Sequence, residues 1–408
     1  MEPIILTEFV PKTAELTEEE YRILLTEFKD RITVYRSEEH NKFDLYPQQY
    51  VGTIVLPVHS LVIQPKIPML NFFYMLVYSY EIPEFGKQLF GFKQEQTIYE
   101  IIVFRFVQEI EKLVKMGLYR DYLTSEENLR TVRGRVSVIE NERLNTVQRQ
   151  RVFCRFNEFT SDILENRILK YALHRLSCLS FGDISLKIQI NKLLHHLDVV
   201  SYEITRDSDF EIVERRYTRL NEHYRPLIRI SRMLIENTSL NLQTQGKMRF
   251  WSFLVDMNML FQKFLTFCLR GLNGFDINPT PTYKWDVEGL TTISPDIVIG
   301  KDKKLKLVVD AKYKQIDLDK KEVYGDDVRQ VGDYCTTLGL ENGVLVYPKL
   351  SPDQKIHDLQ IRKKDPITNR SYTVFLKTID LFSVDLQQFK SACNEFLKYV
   401  DRFLEKQD

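Results

Sequence analysis

The chain has 408 residues, room for two to three domains at roughly 150 residues each, and is 43% hydrophobic and 28% charged. Those proportions exclude global disorder, and 15 glycines with 14 prolines exclude a collagen-like or linker-dominated architecture. Lys plus Arg and Asp plus Glu tie at 57 each, which excludes a purely electrostatic nucleic-acid binder; any DNA contact must come from a local basic face or a partner. Five dispersed cysteines (Cys154, Cys178, Cys268, Cys335, Cys393) with no CxxC pair argue against a disulfide framework and a structural zinc site. The start is acidic where a signal peptide would be basic and then apolar, and no apolar run approaches the roughly 20 residues that span a bilayer. The expectation is a soluble, reduced, cytoplasmic protein without membrane contact.

Residues 1–65 are rich in β-branched and turn residues and predict a small α/β module. A helix is expected over Glu15 to Arg31, with an acidic first turn at Glu18-Glu19-Glu20, and the runs Thr53–Leu56 and Leu61–Ile63 predict a hairpin or a small barrel. Residues 66–245 read as mainly helical: a buried aromatic stretch at Asn71 to Tyr80, then helices over Thr97 to Met116, Thr160 to Leu179, Lys187 to Leu197 and Tyr224 to Glu236. Residues 246–408 change character. A long amphipathic helix is expected over Phe250 to Leu269, followed by two strands near Asp296–Ile299 and Leu305–Asp310 joined by Gly300-Lys301-Asp302-Lys303. A helix at about Asp326–Leu338, strands at Val344–Tyr347 and Ser371–Leu381 and a terminal helix at Leu386–Leu404 complete a mixed α/β chain.

The chemistry concentrates in Ser294-Pro295-Asp296-Ile297-Val298-Ile299-Gly300 and Leu307-Val308-Val309-Asp310-Ala311-Lys312. Side chains alternate along a strand, so Asp310 and Lys312 share a face about 7 Å apart. If the two strands form a hairpin, their distant ends meet and Asp296 lands beside Asp310. Two carboxylates and an ammonium suit metal-assisted phosphodiester hydrolysis: the acids are hard oxygen ligands for Mg²⁺, with Mn²⁺ as the alternative, and Lys312 orients the attacking water or neutralises developing charge. Either half alone is more often a turn or a solvated ion pair. Asp310, however, ends an apolar run in which an unpaired acid would be costly.

PD followed fourteen positions later by DAK resembles the PD-(D/E)xK nuclease superfamily. Gln330 and Tyr334, eighteen residues beyond DAK at i and i+4 on one helix, resemble the QxxxY pair of RecB-like nucleases, where those side chains support metal or DNA. In order along the chain, Asn71–Tyr78, Gly134-Arg135-Val136, Glu165–Lys170, Phe261–Phe264, Val309–Tyr313 and Leu345–Pro348 are together similar to the McrC family, nuclease subunits of the McrBC modification-dependent restriction systems. The likeness runs from about residue 65 to the C-terminus, more weakly through Leu61–Ile67, and leaves residues 1–50 least covered. It implies a restriction-endonuclease-like domain over 246–408, with 1–65 and 66–245 binding or linking to a hexameric McrB-like AAA+ GTPase. It further implies that the partner binds GTP and recognises methylcytosine in double-stranded DNA, and that assemblies associate through the nuclease subunits. No GxxxxGK[ST] P-loop is present.

One departure is Gln262, standing where many PD-(D/E)xK enzymes carry a metal-facing Glu on the first core helix. Asp256, roughly 240° away on a helix, cannot substitute. Either Asp296 and Asp310 suffice with Gln262 orienting a water, which is the favoured reading, or metal affinity stays weak until DNA phosphate joins. Arg133, Arg135 and Lys314 are candidate DNA contacts, against the bland alternative of solvated cations. Glu165-Asn166-Arg167 reads as structural, capping or bridging between domains, and His195-His196 as a helix surface. Two other functions stay in view: a stand-alone RecB-like nuclease, and a catalytically decayed adaptor that only activates its AAA+ partner.

Overall fold

Apolar pairing across long sequence separations, more than local propensity, organises the protein. The computed structural model describes residues 3–39, 41–82, 98–147, 150–242, 249–284, 290–315, 325–351, 354, 358–364, 371–382 and 386–405. The contacts gather into two compact units, one made of residues 1–92 and 237–408, the other of 93–236.

In the first unit, Thr17 caps the helix Glu18–Glu27 through a reciprocal capping box with Glu20. Glu20 is fully buried and also accepts hydrogen bonds from the backbone of Val58 and His59. A three-stranded antiparallel sheet (Lys12–Glu15, Lys42–Pro47, Ile32–Arg36) lies in this module. The expected hairpin forms from Tyr50–Val55 and Ser60–Gln64.

That hairpin belongs to a five-stranded sheet that also contains Arg249–Asp256 and Thr238–Leu242. The helix expected over Phe250 to Leu269 is therefore shorter. Residues Arg249–Asp256 are a strand paired with Tyr50–Val55, and only Met257–Leu269 is helical. Aromatic and β-branched residues at Phe250, Trp251, Phe253 and Val255 suit a pleated, buried surface, and a waiting partner strand overrides their helical spacing. Asp256 marks the change as N-cap, its carboxylate accepting from the Asn258 and Met259 amides. Because this strand sews the N-terminal segment to the C-terminal one, the structure does not divide at 65/66 and 245/246. Asn71 adds a buried tie, donating to the Leu381 carbonyl at 2.9 Å.

The same unit holds a six-stranded mixed sheet in the order Asp276–Pro279, Ile297–Lys301, Lys304–Ala311, Asn342–Lys349, Ser371–Asp380, Asp358–Lys364. Lys304–Ala311 pairs antiparallel with Ile297–Lys301 and parallel with Asn342–Lys349. The first of these pairs closes through Asp302 and Lys303, both at positive φ, as a two-residue hairpin demands. The parallel strands are joined by a crossover containing the helix Gly325–Leu338. Val298, Val308, Leu345, Val374 and Leu376 form a core with Val328, Val331, Tyr334 and Cys335 of that helix. Gly343 lies under that helix; a Cβ there would collide with Val331 and crowd Cys335.

The second unit contains the expected helices, among them Ile98–Met116, Leu164–Ser177, Ile184–His196 and Arg225–Asn237. It is less uniformly helical than its sequence suggests. Asp121–Leu129, Val152–Thr160 and Arg135–Val136 form a three-stranded antiparallel sheet. Asp121–Leu129 (DYLTSEENL) carries almost no apolar alternation and few buried side chains, so the period-two signal was absent. Among the described residues no helix is long and apolar enough to cross a membrane.

Candidate active site

Two strand ends and one helix face build the site. Ile297 pairs with Val309, so Asp296 stands one step beyond the ladder beside Asp310, as the hairpin reasoning required. Asp296 Oδ2 accepts from the Ala311 amide at 2.7 Å. Its carbonyl accepts from the Thr280 amide at 2.8 Å and from Gln262 Nε2 at 3.0 Å. Gln262 also donates to Thr280 Oγ1 at 2.9 Å and is buried. Gln262 thus braces the backbone of the Pro-Asp turn, a more specific task than the water-orienting role expected of it.

Asp310 is 1% exposed. Lys312 Nζ lies 2.9 Å from Asp310 Oδ2, within charge-assisted hydrogen-bond reach. One lysine serves two neighbouring buried acids, so their negative charge is only partly compensated. Burial raises the Asp310 carboxyl to about 6, the Asp296 charge pushes the same way and Lys312 pulls back. Burial raises Asp296 too, against the Ala311 hydrogen bond and the Lys312 charge. For Lys312, burial works against the ammonium, but the Asp310 and Asp296 charges outweigh it and raise its pKa. With both acids ionised, the three groups carry one net negative charge.

Asp310 and Lys312 face the helix Gly325–Leu338. Gln330 Nε2 donates to the Tyr334 hydroxyl at 2.8 Å, and burial together with the Asp310 charge raises that hydroxyl's pKa. Tyr334 therefore lies near the carboxylates, and Gln330, exposed on the helix, is tied to it. The sequence reading missed Asp327, on the same helix face at the 327/330/334 spacing that could have revealed it. It is buried, accepts from the Tyr347 hydroxyl and pairs with Lys314 Nζ at 2.7 Å. Lys314 is accordingly held, not a free surface cation. On the opposite side, the Tyr313 hydroxyl donates to buried Glu8 at 2.9 Å, a contact 305 residues apart that no local pattern could signal.

Arg133 and Arg135 belong to the second unit. Arg133 stacks on Phe156, 4.0 Å from the ring centroid, and pairs with Glu158 at 3.4 Å, while Arg135 lies in the short strand Arg135–Val136. Between them Gly134 has a φ of +67° and would clash with Arg155 if it bore a Cβ, which explains the glycine. The Glu165-Asn166-Arg167 stretch is structural, but its bridges lie inside one unit. Asn166 donates to the Ser161 and Tyr119 carbonyls at 2.7 and 3.0 Å, and Arg167 pairs with Asp162 at 2.8 Å and Glu203 at 3.1 Å. His195 is an exposed helix residue paired with Asp198.

A mixed sheet with two carboxylates and a lysine at the meeting ends of adjacent strands matches the architecture that the sequence resemblance implied. The family model described as "McrBC 5-methylcytosine restriction system component" matches residues 45–348. The chain belongs to that family. It is 24% identical over 370 residues to the type IV methyl-directed restriction enzyme EcoKMcrBC of Escherichia coli (strain K12), covering 84% of this chain and 99% of the relative. Its fold is similar to a chain of the refined half-complex from the tetradecameric assembly of Thermococcus gammatolerans McrB AAA+ hexamers with bound McrC. That similarity has a TM-score of 0.58 at 20% identity and covers 98% of this chain and 100% of the other.

Proposed function

We propose that this restriction-system component is its DNA-cleaving subunit, a divalent-metal-dependent endonuclease that acts with an AAA+ GTPase motor on methylcytosine-containing DNA. The observation that carries the reading is Asp310: a fully buried carboxylate beside a second acid, with one lysine between them to offset two charges. Two acids sharing one lysine keep a net negative charge that a divalent cation would balance. Two carboxylates are the donor set from which Mg²⁺ is commonly held, its other positions left to water and substrate phosphate. Asp296 and Asp310 would hold it, Mn²⁺ serving as a substitute. When bound, it supplies a more acidic water and charge neutralisation at phosphorus.

The chain's own residues do the rest. The Ala311 amide fixes the Asp296 carboxylate, and Gln262 with Thr280 fixes its backbone, so little reorganisation remains when DNA arrives. Lys312, 24% exposed at its side chain, is oriented by Asp310 and reaches the scissile phosphate or the attacking water. Tyr334, braced by Gln330, closes that face of the site. The GTPase partner comes from the relatives, where McrC is bound to McrB hexamers, and the balanced charge of 57 against 57 fits DNA delivered by a motor.

The test is plasmid cleavage by this chain together with its AAA+ partner, GTP and Mg²⁺, on cytosine-methylated and unmethylated DNA. Cutting that needs methylation, GTP, partner and Mg²⁺ is expected. Cutting by the chain alone would favour a stand-alone nuclease. No cutting with GTP hydrolysis still stimulated would favour an adaptor.

A further inference from the structure

Asp327 is a buried acid that the proposed cleavage chemistry does not use. It lies in the first turn of the helix Gly325–Leu338, where a carboxylate is favoured by the exposed amides. The Tyr347 hydroxyl, from the strand Asn342–Lys349, and Lys314 Nζ, at 2.7 Å, meet on the same Oδ2. Lys314 follows Lys312 through a tight turn in which its amide donates to the Lys312 carbonyl at 2.9 Å, and the Lys312 amide is itself fixed to the Val346 carbonyl at 2.9 Å. The backbone carrying both ammonium groups is thus pinned beside the carboxylates. The Asp327 charge is close enough to act on both Asp310 and Lys312.

An ammonium on a flexible four-carbon stem loses most of its rotamer freedom when held in one place. Asp327 has already imposed that ordering. Its own side chain is 11% exposed while that of Lys314 is 42% exposed, so the ammonium spends one of three donors on the acid and presents the others to solvent. An isolated surface pair would not need a buried acid whose orientation is fixed by a tyrosine from the neighbouring strand.

We propose that Asp327 is a positioning residue that fixes the Lys314 ammonium to receive a DNA phosphate adjoining the scissile one. The proposal rests on the nuclease reading above. It assigns Lys314 to DNA recognition and Lys312 to the chemical step, with Asp327 ordering the first without touching substrate.

The test compares wild type, Lys314→Ala, Asp327→Asn, the double variant and Tyr347→Phe, each in complex with the AAA+ partner. Initial cleavage rates are measured against DNA and salt concentration, and DNA retention by the same complexes is measured in EDTA. Lys314→Ala is expected to raise KM and the EDTA dissociation constant about tenfold, and to reduce the slope of log affinity against log salt by about 0.9. Asp327→Asn should weaken binding on the order of threefold to tenfold with kcat little changed, and the double variant should be no worse than Lys314→Ala. Tyr347→Phe, which keeps the ion pair but loosens the Asp327 carboxylate, should give a smaller loss of binding than Asp327→Asn. Additive losses in the double variant, or an unchanged KM and salt slope in Asp327→Asn, would overturn the proposal. A wild-type complex that retains DNA but never cuts would instead count against the nuclease reading, and the EDTA arm would still decide the Lys314–Asp327 coupling.

Discussion

Asp310→Asn should make the metal-free protein more stable at neutral pH. The folded state raises the Asp310 carboxyl from 3.8 to about 6, a net preference for the protonated form worth about 3 kcal/mol that already includes the help from Lys312. A carboxyl raised on folding costs nothing below its unfolded pKa, and the penalty grows as pH climbs through the folded value. The wild type therefore carries the full penalty above about pH 6, and the amide, which cannot ionise, does not. Urea titrations in EDTA, followed by tryptophan fluorescence, report on the relevant unit through Trp251, buried in the strand Arg249–Asp256. The variant should exceed the wild type by up to about 3 kcal/mol at pH 7.5, and the gap should close towards pH 4. Added Mg²⁺ should stabilise the wild type and leave the variant unmoved. A variant less stable than wild type at every pH, with no Mg²⁺ response in either, would refute the reasoning and make Asp310 a satisfied structural acid.

Gln262→Glu is expected to destabilise the protein and impair cleavage, because the added charge would face the Asp296 carbonyl that the amide now donates to; cleavage above wild type would contradict this bracing role. Lys312→Met should lower the cleavage rate at least a hundredfold while leaving stimulation of the partner's GTP hydrolysis within about twofold, a split readable in one coupled assay. In the other unit, the Asp162 carboxyl is lowered to about 2, mainly by Arg167 and Ser201 acting against burial, so its stabilisation is present above pH 4 and fades as pH falls through about 2. Because Ser201 holds part of that shift and solvent screens the pair, Arg167→Ala should destabilise residues 93–236 by about 1 kcal/mol at pH 7, measured by hydrogen exchange, and the loss should shrink as pH falls through about 2.

The site was legible in the sequence to the extent that it is local. A hairpin brings Asp296 to Asp310, strand alternation puts Lys312 on the same face, and helical spacing puts Gln330 beside Tyr334; each follows from a period. What stayed hidden depends on pairing at a distance. Phe253 is at helical spacing with Met257 and Leu260 and at strand spacing with Trp251 and Val255, and only the presence of Tyr50–Val55 decides between them. The unit boundaries were missed for the same reason. The strand Asp121–Leu129 escaped because its faces are polar, so sheet formation there rests on backbone hydrogen bonds with Val152–Thr160. Asp327 lay within reach of the helical argument, but its burial depends on Tyr347 and Lys314, which come from other segments.

The central claim is that Asp296, Asp310 and Lys312 cut DNA. Its most direct test is to follow double-strand cleavage of methylated plasmid and GTP hydrolysis together, using partner complexes of wild type and Asp310→Ala. The account predicts that cleavage disappears in the variant while GTP hydrolysis stays at the wild-type rate. Full cleavage by Asp310→Ala would contradict it.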